Sequence, residues 1–76
     1  MLEQDIKEYL ILHKDGIKAH LDSLATEAKN NPILSTFFKE AQCEELIQYL
    51  ALQLNASYPD IAEVVDEELI DKWLKM

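Results

Sequence analysis

LEQDIKEYLILHKDGIKAHLDSLATEAK, residues 2–29, is the stretch on which the fold turns. Leu2, Ile6, Tyr9, Leu10 and His13 recur at helical spacing and form one stripe. Past Gly16, the residues Ile17, Leu21, Leu24 and Ala28 fall on nearly the same stripe, so the phase runs unbroken across Asp15-Gly16. Two readings follow. Either one long helix passes through Gly16 at a cost of about 1 kcal/mol, or Gly16 caps one helix and a second begins at once. His13 and Lys14 suit a last helical turn, which favours the cap. The preserved phase favours the rod.

The rest of the chain divides at Asn30-Asn31-Pro32, Ala41-Gln42 and Asn55 to Pro59. Asn31 before Pro32 reads as an N-cap with proline at the first helical position. Leu34, Phe37, Phe38 and Ala41 then share a face, while Leu46, Ile47, Leu50 and Leu54 share one almost opposite. A helix running from 33 to 55 would be apolar on both sides. The spacing therefore predicts a break near Gln42, or a rod buried twice, once in its own core and once against a partner. Ser57 with Asp60 fits a capping box, and Asp66 reads as a fresh N-cap ahead of Leu69, Ile70, Trp73 and Leu74. One Gly and two Pro leave little room for the turns a sheet protein needs. The expected fold is all-α: a compact bundle of four or five short helices in a single small domain, residues 1–76.

Seventy-six residues with 49% apolar and 29% charged side chains describe a folded chain of marginal stability. The net charge is −8, with seven Lys and no Arg. Arginine is the preferred fork for phosphate and guanine, and phosphate neutralisation supplies most nucleic-acid affinity, so direct nucleic-acid binding is not expected. The charge is uneven: residues 1–31 carry net −2 and residues 32–76 carry net −6. The N-terminus has no basic leader with a long apolar core, and the uncharged stretch IQYLALQLNASYP is too short and polar to span a bilayer. The expectation is a cytoplasmic protein that does not enter a membrane.

The C-terminal IAEVVDEELIDKWLKM, residues 61–76, resembles a helix-turn-helix DNA reader at first sight. No Gly lies between Val65 and Leu69, however, and Glu67, Glu68 and Asp71 would face phosphates. A degenerate helix-turn-helix regulator stays as an alternative only. Asp22-Ser23-Leu24 resembles the phosphopantetheine-bearing tripeptide of acyl carrier proteins, but the preceding Gly is missing and too few residues come before the serine.

Other chemistry is thin. His13 and His20 lie about 10 Å apart along a helix, too far to share a metal, and their stripe positions predict partly buried structural roles. Cys43 precedes Glu44 and Glu45, which disfavour its thiolate. No catalytic residue, metal ligand or cofactor is assigned, and the expectation is that the protein is not an enzyme.

The leading expectation is a small acidic interaction protein, an inhibitor or regulator that binds a basic protein partner such as a nucleic-acid-handling enzyme. Bacterial immunity proteins and phage-encoded antagonists share these bulk properties. The expected binding face comprises Glu63, Asp66, Glu67, Glu68 and Asp71, extended by Glu44 and Glu45 and anchored by Trp73 or an exposed Phe such as Phe38. The alternative from the same sequence is a homodimeric structural or adaptor protein, driven together by the two apolar sides of residues 33–55.

Overall fold

The computed structural model describes residues 2–76. Six helices follow one another: α1 (Leu2–Leu12), α2 (Lys14–Lys29), α3 (Pro32–Thr36), α4 (Phe38–Gln53), α5 (Tyr58–Ala62) and α6 (Glu67–Leu74). No strand occurs among the described residues. The all-α class is as expected, but there are more helices than the four or five anticipated. Each doubtful joint is broken, though neither breaks where the sequence pointed.

The first joint lies at His13, three residues before Gly16. In an unbroken rod the Leu10 carbonyl would accept from the amide of Lys14. Here the buried indole Nε1 of Trp73 donates to Leu10 O at 2.9 Å. A side chain inserted into the hydrogen-bond ladder is a sufficient cause for a break. Gly16 sits inside the first turn of α2, without positive φ and with open space around it, so it is neither a cap nor a packing necessity.

The second joint lies at Phe37, five residues before Gln42, and α4 continues unbroken through Gln42. Phe37 leaves helical geometry (φ −109°, ψ 28°). Asn31 fixes the start of α3 as expected: its side chain accepts from the amides of Ile33 and Leu34, both at 3.1 Å. Ser57 caps α5 through the amide of Asp60, and Asp66 caps α6 through the amide of Leu69 at 2.8 Å. Asn55 takes the left-handed conformation (φ 52°) that asparagine tolerates better than most residues, and it turns the chain from α4 into α5.

One core joins the elements. Ile6 and Leu10 of α1 meet Ile17 and Leu21 of α2 there. Leu46, Ile47 and Leu50 of α4 supply its centre, and Ile61, Val65, Ile70 and Trp73 close it from the C-terminal side. α2 and α4 pack together, with α3 against the end of α2 and α5 and α6 against α4. α3 contributes no buried residue at all. Among the described residues, no helix is long and apolar enough to cross a membrane.

Candidate functional site

The five C-terminal carboxylates expected to form a binding face lie exposed, but several already have partners. Asp66 spends an oxygen on the cap of α6. Glu68 pairs with Lys72 at 3.1 Å, and Asp71 lies 4.0 Å from Lys39 of α4. Glu63 stands at the C-terminal end of α5. Glu67 and Asp66 face Cys43: burial raises the thiol pKa above its ordinary value, and Glu67, Asp66, Glu40 and Asp71 raise it further. The thiol is thus discouraged from ionising, first by burial and then by acids at the start of α6 and by Glu40 of α4 and Asp71 of α6, rather than by its sequence neighbours Glu44 and Glu45.

Trp73 is not an exposed anchor. It is 3% exposed, and its only polar group is consumed by Leu10 O. The ring lies on the inward side of α6 with Ile70, because positions 70 and 73 share a helical face. Phe38 is half-buried and lines a recess with Ala25, Ala28, Lys29 and Ser35. The phenylalanine left in water is Phe37, 56% exposed. The break at Phe37 sets it apart from the inward-facing part of α4.

Glu44 and Glu45 do stand beside an exposed ring, on a different surface from the other expected acids. A groove of about 520 Å³ runs between the end of α2, the start of α3 and α4 from Ala41 to Gln48. Its apolar lining is Leu24, Ile33, Leu34, Phe37 and Ala41. Its acids are Glu27 from α2 and Glu44 and Glu45 from α4. No lysine lines it. Ile33 of α3, 75% exposed, and Phe37, the residue that ends α3, lie four residues apart. Gln48 Nε2 donates to Glu44 Oε1 at 3.4 Å, and His20 Nε2 lies 2.8 Å from Glu45 Oε1, which orients two of the three carboxylates.

The histidines differ from expectation. Both are exposed. His13 falls at the α1–α2 joint and stacks against Tyr9, with ring centroids 4.3 Å apart. His20 lies roughly 60° of rotation from Ile17, on the flank of the α2 stripe rather than its centre. Among the described residues, no group of His, Cys, Asp and Glu gathers with the geometry to hold a metal ion.

A second apolar recess, about 170 Å³, lies where α1 meets α6 and is lined by Leu10, Ile11, Leu69, Trp73 and Met76. Lys7 and Lys72 border it, each within 3.2 Å of a glutamate on its own helix. Its border charges are paired lysines, whereas the first groove is bordered by acids.

Sequence reasoning missed Glu27, Ile33 and Phe37 as members of a site. Leu34, Phe37, Phe38 and Ala41 could be seen to share a face, and Phe37 and Phe38 to diverge by about 100°. The position of the helix break, which decides which ring faces water, was not legible. No family model matches the chain, and no curated protein or solved structure matches it either.

Proposed function

We propose that this chain is a small protein-binding module that docks on a basic protein partner through the acid-bordered groove of α2, α3 and α4. The observation that carries the reading is α3 itself. With the Phe37 joint that ends it, α3 places Ile33 and Phe37 in water beside Glu27, Glu44 and Glu45, and it gives nothing to the core. Contiguous apolar surface ringed by one sign of charge is the composition of a recognition site. Folding alone gives no reason for it. Burying the exposed parts of Ile33 and Phe37 on a partner would supply about 1–2 kcal/mol each.

The carboxylates Glu63, Asp66, Glu67, Glu68 and Asp71 take a different part in this reading. Partly neutralised by Lys39 and Lys72, they add to a net charge of −8 that steers a cationic surface toward the groove. A basic surface covered in this way is closed to nucleic acid, which would make the protein an inhibitor or regulator of a nucleic-acid-handling partner. The outward side of α6 carries Glu67, Glu68 and Asp71 beside Lys72 and Lys75. Those acids weigh against the helix-turn-helix alternative, because they would repel phosphates.

The test is capture from a lysate at low salt on immobilised protein, with elution by a salt gradient. Wild-type protein is expected to retain basic proteins, the Phe37→Ala variant to lose them, and a Glu67→Gln/Glu68→Gln variant to keep most of them. Retention that survives in Phe37→Ala and disappears in the α6 variant would move the site to α6. No retention by any form would refute the reading.

A further inference from the structure

The shape of the groove narrows the kind of partner, on the premise that the groove is the binding site. We infer that its occupant is a cationic amphipathic α-helix, laid in as an additional helix of the bundle. Two helices form the long walls. On α4, Ala41, Glu44, Glu45 and Gln48 line the groove at i, i+3, i+4 and i+7, one continuous helical stripe about 10 Å long. Leu24 and Glu27 of α2 face it from the other wall at i and i+3.

A channel between two helices receives the side-chain ridge of a third helix. Ala41, the small residue on the α4 stripe, lets a helix backbone come close. Ile33 of α3 and Phe37, the residue that ends it, present two apolar contacts about 6 Å apart along the α3 axis. A docking helix meets that spacing with apolar residues at i and i+3 or i+4. Its flanking positions then fall against Glu27 on one side and Glu44 and Glu45 on the other, where lysine or arginine satisfies them. An extended strand finds nothing comparable, since no sheet edge exists among the described residues to extend it.

The experiment uses ¹⁵N-labelled full-length protein at low salt and two probe peptides. One is a Leu/Lys peptide patterned with a helical apolar face. The other has the same composition, scrambled so that no face forms. The patterned peptide is expected to shift the amides of Ile33, Phe37, Ala41, Glu44 and Gln48, to become helical on binding, and to bind at least about tenfold more tightly than the scrambled one. Phe37→Ala should weaken it by about tenfold without altering the thermal melt. Glu44→Lys should weaken it similarly, with a shallower salt dependence.

Equal binding of both peptides in the groove would overturn the helical partner and leave a charge-reading groove standing. Shifts centred on Glu67, Glu68 and Asp71, or no shifts with either peptide, would overturn both the inference and the site beneath it. Concentration-dependent shifts of the groove residues without peptide would place a second copy of the chain there and overturn the inference in favour of self-association.

Discussion

Replacing Trp73 with Phe tests the joint on which the fold is built. The side chain is 97% withdrawn from water, and its indole N–H donates to the carbonyl of Leu10, itself 2% exposed. Phenylalanine keeps part of the ring and loses the donor. A buried acceptor left without a partner costs about 1–3 kcal/mol, an upper bound here because the Lys14 amide offsets part of it by closing on the same carbonyl. The missing five-membered ring leaves a void of a few tens of Å³, worth about 1 kcal/mol at ~24 cal/mol per Å³. The sum is roughly 2–4 kcal/mol. A domain of this length has on the order of 4–11 kcal/mol in total, so the loss is a large share and should lower Tm by about 10–30 °C. Urea and thermal melts followed by far-UV circular dichroism read the change directly, since the sole tryptophan is gone. The Lys14 amide supplies a second readout: freed from the indole, the Leu10 carbonyl becomes available to it, and its hydrogen exchange should slow. A loss below about 0.5 kcal/mol with unchanged exchange at Lys14 would refute the claim that Trp73 breaks α1 from α2.

Gly16→Ala should stabilise the protein by about 0.5–1 kcal/mol, read as a rise in Tm, because the residue is helical, lacks positive φ and has open space where a Cβ would go. Asn31→Ala should cost about 1 kcal/mol by removing the acceptor for the amides of Ile33 and Leu34, and ¹⁵N relaxation should show the motion confined to α3. Cys43 should alkylate slowly with iodoacetamide near pH 8, and Glu67→Gln should speed it, since burial first and Glu67 next raise the thiol pKa. The same raised pKa sets a direction for stability. Above the ordinary thiol pKa the unfolded chain has released a proton that the native one still holds. Stability should therefore fall as pH rises from that value to the native pKa, and Cys43→Ser should lessen the fall.

The helices were legible because their signals are local. Asn31, Ser57 and Asp66 announce caps by residue type and spacing, and each side chain accepts the backbone bond expected of it. The stripe of Ile6, Leu10, Ile17 and Leu21 names core residues directly, since one face of a helix is what a core sees. The breaks were not legible, because their causes are not local. Asp15-Gly16 looks like a boundary by composition, yet the chain yields at His13, next to a carbonyl claimed by a residue 63 positions away. The candidate site inherits that limit. Glu44 and Glu45 could be named from charge, but Glu27 joins them only because α2 and α4 pack side by side. Trp73 drew attention as a large aromatic among acids, and its place opposite Leu10 could not be read from its neighbours.

Exposed apolar residues are common enough that a lone one needs no explanation, and Ile11, Leu12 and Leu52 are as exposed as Phe37 or more. The groove differs in what surrounds its side chains. A helix of five residues cannot hold itself together in water, so α3 is kept helical by the Asn31 cap, by Pro32 and by its seat on α2. None of that support requires Ile33 or Phe37 to be apolar, because polar residues at both positions would leave the cap, the proline and the core unchanged. The fold therefore maintains a short platform that holds most of Ile33 and more than half of Phe37 in water. Three carboxylates border that platform without a lysine, Glu45 held by His20 and Glu44 by Gln48, while Glu68 and Asp71 of α6 are set against Lys72 and Lys39. Negative charge around unburied apolar surface opposes self-association and is relieved by a partner that brings both cations and an apolar face. The joining of exposed apolar side chains to those acids, more than the total charge, is why the groove rather than α6 is the better place to look for a bound protein.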